Sequence, residues 1–305
     1  MTKAGRAYNP FDTAANIVSV MRRIHIEHTT RYQYSQPVTL LPHTLHLRPR
    51  EGHDIRVESS RLEITPEFRI RWHRDVFGNS VAVVAFQAPA DNLAITSDVI
   101  VEHYGEQPLD FPLEEHAKQF PFHYHPLEQI DLMSCQLAIF PQDYEALRDW
   151  MADVYRPGWL VDTASLLAQI NQKIPSELEY RVREKPGVQS PAETLALGNG
   201  SCRDFATLFV EACRYCGLAS RFVSGYLVTS SGTANYASTH AWSEVYLPGA
   251  GWRGFDSTSG QLVSGNNIAV AVHRHPEAIP PVAGSFIGPT APQPLMLVNV
   301  RVSIL

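Results

Sequence analysis

The sequence predicts a protein of mixed helix and strand content whose first part is an antiparallel β-sandwich. Between Met21 and about Val101, short runs of β-branched and aromatic residues recur at close spacing, with turn residues between them. After Pro141 the apolar residues recur at helical spacing instead, and strand patterns return from Ser220 onward. The order is therefore strands, then helices, then strands.

Six strands are predicted in the first region, because apolar and polar residues often alternate there. They are IHIEHTTRYQY, HTLHLRP, RVESSRLEIT, FRIRWHRD, VAVVAFQ and LAITSDVIVEHY. Strands at this spacing are typical of a sandwich, which we assign to residues 21–106. Residues 1–20 lack this pattern, which predicts either a disordered tail or a true start at Met21.

The rest of the chain is predicted to form a connection, a core and an extension. Residues 107–140 are rich in proline and aromatic residues and are predicted to be a packed, irregular connection. The core is assigned to residues 141–262, and residues 263–305 to an extension that ends in the strand LMLVNVRVSIL. Core helices are predicted over Pro141–Tyr155, after an N-cap at Thr163, after the capping box Ser190-Pro191-Ala192-Glu193, and from Cys202 to a stop at Gly217. Core strands are predicted over SRFVSGYLVT, HAWSEVYL and GWRGFD.

Composition excludes several classes of protein. The 305 residues carry a net charge of −6 and no long basic run, so nucleic acid is not expected as a partner. Four cysteines in this length do not indicate a disulfide framework, and the C-R-Y-C spacing of Cys213 and Cys216 has no second pair to complete a zinc site. Neither a signal peptide nor a membrane span is recognisable. We therefore expect a cytoplasmic protein without metal or other cofactor.

Cys202 is the strongest functional signal. It follows the Gly198-Asn199-Gly200-Ser201 turn and begins an amphipathic helix. A thiol must ionise before it attacks, and a helix N-terminus or a neighbouring histidinium favours the thiolate. Downstream, His240 and Asp256 lie on two successive predicted strands. A thiol, an imidazole and a carboxylate are the groups that cysteine acyl-transfer chemistry needs.

The alternation of side chains along the two predicted strands places His240 and Asp256 close together. The Pro248–Gly251 turn predicts a hairpin, and a loop centred near residue 249 makes the two residues diagonal neighbours on one face. Their Cβ atoms are then about 7 Å apart. A slip of one residue would separate them onto opposite faces. The predicted roles are nucleophile for Cys202, general base and acid for His240, and orienting carboxylate for Asp256.

Other residues near this site have two interpretations each. The backbone N–H of Cys202 and the hydroxyl of Tyr180 are candidate oxyanion donors, although Tyr180 also suits packing at the domain seam. Trp242 and Tyr226 either contact substrate or belong to the core. The other candidates favour a structural interpretation. Arg203 and Asp204 are expected in a solvated first helical turn, and the pairs His123 with His125 and His273 with His275 in solvated turns. Three cysteines are expected to be small core residues: Cys135, Cys213 and Cys216.

The motifs GNGSCRDFATLFVEACRYCGLASRFVSGYL and THAWSEVYLPGAGWRGFDST resemble the transglutaminase-like core of bacterial proteins often described as cysteine proteases. The run IHIEHTTRYQYSQPVTLLPHTLHLRPR resembles the N-terminal region that accompanies this core in bacteria. The resemblance implies a papain-like, α+β catalytic fold after a β-sandwich, with Cys202, His240 and Asp256 at the catalytic positions. Ser257 replaces a frequent proline, and AVAVHRHPEAIPPV lacks an expected Gly-Arg-Asp-Tyr run, which predicts a changed cleft wall.

Three functions remain open from the sequence. The first is a cysteine hydrolase that acts on an amide of a peptide or protein substrate. The second is an acyl transferase that moves a glutamine acyl group to an amine through the same thioester. The third is a non-catalytic binding module. The intact trio of side chains favours the enzymes, and the absence of a recognisable amine site favours hydrolysis. Oligomeric state is not predicted.

Overall fold

A computed structural model describes residues 21–105, 112–183, 185–228, 239–289 and 291–305. The N-terminal part contains β1 (Arg22–Leu40), β2 (His43–Leu45), β3 (Ile55–Thr65), β4 (Phe68–Arg74), β5 (Ser80–Phe86) and β6 (Ala90–His103). The predicted strands are confirmed here, with small shifts at their ends. The expectations for the tail at residues 1–20 lie outside the described residues.

The middle of the chain holds the helices. Its elements are β7 (Gln119–Phe120), α1 (Pro126–Gln136), α2 (Tyr144–Met151), β8 (Val161–Asp162), α3 (Thr163–Glu177), β9 (Glu179–Tyr180), α4 (Pro191–Leu197), β10 (Asn199–Gly200) and α5 (Cys202–Tyr215). The remaining strands are β11 (Ser220–Leu227), β12 (Thr239–Leu247), β13 (Gly251–Asp256), β14 (Gln261–Leu262), β15 (Asn267–His273), β16 (Val282–Ala283), β17 (Phe286–Ile287) and β18 (Leu295–Ile304). Short 3₁₀ turns occur at Glu115–Ala117, Pro141–Asp143 and Pro276–Ala278.

Two antiparallel sheets form the N-terminal sandwich. One has the order β3-β6-β1, with β17 and β18 both pairing along the far edge of β1, and the other has the order β16-β2-β5-β4. Apolar side chains of both sheets, including Tyr34, Leu45, Val84 and Ile95, fill the space between them. Because β16, β17 and β18 come from the C-terminal extension, the end of the chain completes the sandwich that its beginning starts.

The core sheet is antiparallel, with the order β14-β13-β12-β11-β15. Helix α5 packs against it and contributes Phe205, Leu208 and Phe209, all without exposure to solvent. The predicted apolar face of α3 is confirmed, since Leu166, Leu167, Ile170 and Ile174 are buried in the same cluster. None of the helices in the described ranges combines the length and the hydrophobicity that a membrane span requires.

Three local expectations were wrong. The predicted irregular connection contains α1, because Pro126 occupies the first helical position, which needs no N–H donor, and the His125 ring accepts a hydrogen bond from the Leu127 N–H at 3.3 Å. The N-cap of α3 is Asp162 rather than Thr163, and its carboxylate accepts from the Ser165 N–H at 2.8 Å. The helix expected over Pro141–Tyr155 begins as a 3₁₀ turn, and its α-helical part ends at Met151.

The sandwich and the core sheet meet at a buried histidine. His28 on β1 is 1% exposed, and its Nδ1 lies 2.9 Å from the hydroxyl of Tyr226 on β11. Its Nε2 lies 3.1 Å from the hydroxyl of Thr30. Aliphatic side chains of both sheets surround the pair. Burial lowers the pKa of His28 to about 4.

Because the pKa of His28 is lowered, we expect the folded protein to lose stability in acid. Between its ordinary pKa of 6.5 and its folded pKa of about 4, the unfolded chain takes up a proton that the folded chain does not. Stability therefore falls as the pH falls through this window, by about 3 kcal/mol from this residue. His28→Gln keeps a polar partner for Tyr226 but does not titrate, so we expect its urea-unfolding free energy to fall less from pH 7 to pH 4. Equal pH slopes for the two proteins would contradict this.

Candidate active site

Two glycines shape the turn before Cys202. Helix α4 ends at Gly198, which has a φ of +64°, a left-handed conformation that glycine adopts without strain. Gly200 is needed for a different reason, because a Cβ there would lie 2.9 Å from the Cβ of Asp204. The chain then turns at Ser201 into α5, and Cys202 is its first residue, partly exposed. The first N–H groups of a helix have no partner within the helix, so the Cys202 amide can act as an oxyanion donor.

Asp204 was wrongly expected on a solvated turn. It has no exposed surface, and its Oδ2 accepts from both the N–H and the hydroxyl of Ser201 at 2.8 Å. Its Oδ1 accepts from the Gln189 N–H and from Arg183 Nη1, each at 2.7 Å. The carboxylate therefore joins the turn before Cys202 to Arg183 and Gln189. Ser201 and Asp204 form a capping box, and the S-x-x-D spacing was the sequence signal for it.

Arg203 is partly exposed, and its Nη2 donates to the carbonyls of Arg183 at 3.0 Å and Lys185 at 3.2 Å. Its charge acts on the nearby hydroxyl of Tyr180, where it opposes the rise of that pKa. The residue after Cys202 therefore adds positive charge at the edge of the site.

Tyr180 is held beside Cys202 by backbone pairing. Strand β9 runs parallel to β10, with Tyr180 opposite Gly200, and the Arg181 N–H donates to the Gly200 carbonyl at 2.8 Å. The Tyr180 side chain is 47% exposed, so it is not packed at a domain seam. Burial of its hydroxyl end and the adjacent Cys202, including a hydrogen bond between them, raise the pKa of Tyr180. The phenol therefore stays protonated at neutral pH and can donate a hydrogen bond near the sulfur.

His240 and Asp256 are in direct contact. Strands β12 and β13 pair with Leu247 opposite Gly251 and Ser243 opposite Phe255, so the predicted hairpin register, centred on residue 249, is confirmed. His240 Nε2 lies 2.8 Å from Asp256 Oδ2. Both side chains are almost fully buried, and the other carboxylate oxygen, Oδ1, accepts from the Thr258 N–H at 3.0 Å.

This contact controls the charge of both groups. Burial by itself would lower the pKa of His240, but hydrogen bonds and charge interactions with Asp256 and Cys202 outweigh it and raise the pKa to about 9. Burial opposes ionisation of Asp256 too, but the hydrogen bond and charge of His240 hold its pKa below the ordinary value. The pair is therefore an imidazolium and a carboxylate at neutral pH.

The imidazole also reaches Cys202. The nearby Cys202 side chain contributes to the raised pKa of His240. Because Nε2 faces Asp256, Nδ1 is the ring nitrogen that is available to the sulfur. The structure thus brings together Cys202, His240 and Asp256, with Tyr180 beside the sulfur. This arrangement can transfer a proton between sulfur and imidazole while the carboxylate orients the ring.

The two expected substrate contacts are buried. Trp242 is 1% exposed and packs with Val223 and Val272, while its ring centroid lies 6.1 Å from that of His240. Tyr226 is 2% exposed and bonds to His28. Neither side chain offers a surface to a substrate in this structure, so both belong to the support behind the site.

One residue of the stretch that departs from the expected motif lies in the same apolar cluster as Cys202. Ile279 is buried in the cluster that Cys202 joins, and Glu277 accepts a hydrogen bond from the Val188 N–H at 3.1 Å. Ser257, at the frequent proline position, donates to Asn171 Oδ1 at 2.9 Å. The residues that depart from the expected motif are therefore neighbours of the site.

The remaining cysteine and histidine candidates occupy positions that suggest a structural rather than a catalytic role. Cys135 and Cys213 are buried, whereas Cys216 is partly buried. The rings of His125 and His275 accept hydrogen bonds from the N–H groups that begin a helix and a 3₁₀ turn. Within the described ranges, no group of three or more His, Cys, Asp or Glu side chains is arranged to hold a metal ion.

Two regions of the chain match known protein families. Residues 24–102 match the bacterial transglutaminase-like N-terminal region, and residues 160–257 match the transglutaminase-like superfamily. The second match includes Cys202, His240 and Asp256. The crystal structure of a "putative cysteine protease" from Cytophaga hutchinsonii has a TM-score of 0.71 at 18% identity, covering 93% of this chain and 91% of that chain. The predicted α+β fold class, a transglutaminase-like core after an antiparallel sheet region, is confirmed.

Relatives also occur in mycobacteria. An uncharacterized protein of Mycobacterium tuberculosis is 28% identical over 293 residues, which span 88% of each chain. An uncharacterized protein of Mycobacterium leprae is 26% identical over 275 residues, which span 88% of this chain and 94% of its own. The similarity therefore extends over both the sandwich and the core.

Proposed function

We propose that this chain, whose residues 160–257 match the transglutaminase-like superfamily, is a cysteine hydrolase that cleaves an amide bond of a peptide or protein. The observation that carries the proposal is the 2.8 Å contact of His240 with Asp256 beside a partly exposed Cys202 at the start of a helix. A buried acid–imidazole pair next to a thiol is costly to maintain, and it is what nucleophilic catalysis by cysteine requires.

The chemistry begins with attack of the Cys202 sulfur on the amide carbon. The sulfur attacks as a thiolate, its proton already held by the His240 imidazolium, and the oxyanion that forms accepts hydrogen bonds from the Cys202 N–H and the Tyr180 hydroxyl. His240 then gives the proton to the departing amine, which leaves a thioester on the sulfur. Water, with His240 as the base, attacks this thioester and releases the acid. Asp256 keeps the ring oriented throughout.

Charge near the thiol favours water over an amine as the second nucleophile. Arg203 follows Cys202 directly, and its charge acts on the neighbouring Tyr180 hydroxyl. A protonated lysine side chain would approach Arg203 at an energetic cost, whereas water would not. This supports hydrolysis rather than transfer of the acyl group to lysine.

The test is turnover of a panel of fluorogenic peptide amides by the purified protein, with Cys202→Ala as the matched control. We expect release of the fluorophore by the wild type and none by the variant. Equal activity of the two proteins would refute the proposal. A labelled alkylamine added to the same reactions separates the alternatives, because incorporation that outcompetes hydrolysis would establish acyl transfer instead.

A further inference from the structure

We propose that the N-terminal sandwich binds an extended acidic peptide segment in a groove between its two edge strands. The groove, here called the edge groove, has a volume of about 660 Å³ and is lined by residues that include Arg48, Leu62, Phe68, Ile70, Trp72 and Arg74. It is built from β3, β4 and adjacent residues of the sandwich, and it does not include Cys202, His240 or Asp256. The proposal is therefore independent of the chemistry proposed for Cys202.

The backbone of the groove suits a strand as its occupant. Among the strands that the structure describes, β3 pairs only with β6 and β4 pairs only with β5, so each is the last strand of its sheet. An edge strand presents a row of N–H and C=O groups to one side, which an extended peptide can pair with. β3 is irregular, with a bulge between Val57 and Ser59, whereas β4 pairs in unbroken register over Phe68–Arg74. β4 is therefore the better template.

The side chains of the groove repeat with the period of a strand. Phe68, Ile70 and Trp72 alternate along β4, so they point to the same side. Phe68 and Ile70, together with Leu62 of β3, also pack on the core of the sandwich, which makes them a firm apolar floor. Trp72 is 49% exposed and forms an open wall. Apolar surface at every second position is what alternate side chains of an added strand require.

The charges of the groove select an acidic occupant. Arg48 and Arg74 line it, although Arg48 also pairs with Glu51 at 3.2 Å. Arg69 and Arg71 are exposed on the other face of β4, where their cross-strand neighbours are Ala85 and Val83. The whole chain carries a net charge of −6, so this concentration of cations is a local property. When the apolar side chains of a bound strand face the groove, the glutamate or aspartate side chains between them face Arg69 and Arg71 on the other face of β4.

Calorimetric titration of the full chain tests the proposal. The protein carries Cys202→Ala, so that cleavage of the probe cannot contribute. The probe is a blocked ten-residue peptide of alternating glutamate and valine, and its matched control has lysine in place of glutamate. A third probe is the same acidic peptide with alternate amide nitrogens methylated, which prevents strand pairing but keeps the side chains. A fourth probe, ten-nucleotide oligothymidylate, tests whether a single-stranded nucleic acid binds these arginines instead.

We expect saturable binding of the acidic peptide that weakens with added salt. Trp72→Ala should weaken it by about tenfold or more, because an exposed tryptophan in a groove is a typical energetic anchor. N-methylation should weaken it by a similar factor. Trp159→Ala is the control for an exposed tryptophan elsewhere, since Trp159 is 43% exposed outside the sandwich, and it should leave the affinity unchanged. Unchanged affinity in Trp72→Ala, or equally tight binding of the lysine peptide or oligothymidylate, would overturn the proposal.

Discussion

Replacement of His240 by glutamine is expected to lower amide turnover by about four orders of magnitude. Glutamine still forms hydrogen bonds, but it cannot take the proton of Cys202 or return one to the departing amine. The same change removes the imidazolium from beside the sulfur, so alkylation of Cys202 by iodoacetamide at pH 7 should slow by about tenfold or more. Both rates are measured on the same preparation, which separates loss of chemistry from loss of folded protein.

The pH profile gives a second measure of the same group. Because His240 has a pKa of about 9, the imidazolium that protonates the leaving amine is present below that pH and disappears above it. The acylation rate of the wild type should therefore fall as the pH rises through about 9. Asp256→Asn preserves the shape of the side chain but removes the charge that helps to raise this pKa, so its alkaline limb should move to lower pH. Identical profiles for the wild type and Asp256→Asn would contradict the assigned roles.

Replacement of Arg214 by methionine is expected to destabilise the fold by about 3–5 kcal/mol, since it leaves a buried carboxylate without its cationic partner. Arg214 Nη1 lies 2.8 Å from Glu211 Oε1, and both side chains are almost completely buried on α5. The guanidinium also donates to the carbonyls of Cys135, Ser220 and Arg274. It therefore joins the helix that carries Cys202 to α1, to β11 and to the segment that follows β15.

Urea unfolding of wild type and variants measures this effect. Arg148→Met is the matched control, because Arg148 pairs with Asp149 on the surface of α2, and its removal should leave the unfolding midpoint nearly unchanged. In the double variant Glu211→Met, Arg214→Met, part of the stability should return, since no buried charge is left unpaired. A midpoint for Arg214→Met equal to that of the wild type would show that the buried pair does not support the fold.

Much of the secondary structure was predictable because it depends on local rules. Alternation of apolar residues located the sandwich strands, and the left-handed conformation at Gly217 ended α5 where glycine predicted it. The pairing of His240 with Asp256 was also predictable, because strand parity and one turn determine it. The contact of this pair with Cys202 joins distant segments, so alternation along a strand could not predict it. The resemblance to a known catalytic core predicted that contact instead.

Long-range packing decided the features that the sequence analysis missed. Asp204 carries an ordinary charged side chain in a first helical turn, and nothing local shows that Arg183 and Gln189 will hydrogen-bond to it. His28 and Tyr226 are 198 residues apart in the sequence and lie on strands of different sheets, so their contact forms only when the two sheets pack together. Trp242 was equally compatible with core and cleft until its neighbours were known.

The sequence by itself determined most of the element types, the order of the two halves and the choice of thiol, imidazole and carboxylate, because periodicity, capping and turn chemistry act over a few residues. The tertiary structure alone decided which charges are buried, where the C-terminal strand returns to pair with β1, and which aromatic side chains remain accessible. These three features depend on desolvation and on contacts between segments that are far apart in the chain. The local spacing of residues in the sequence does not show either of these effects.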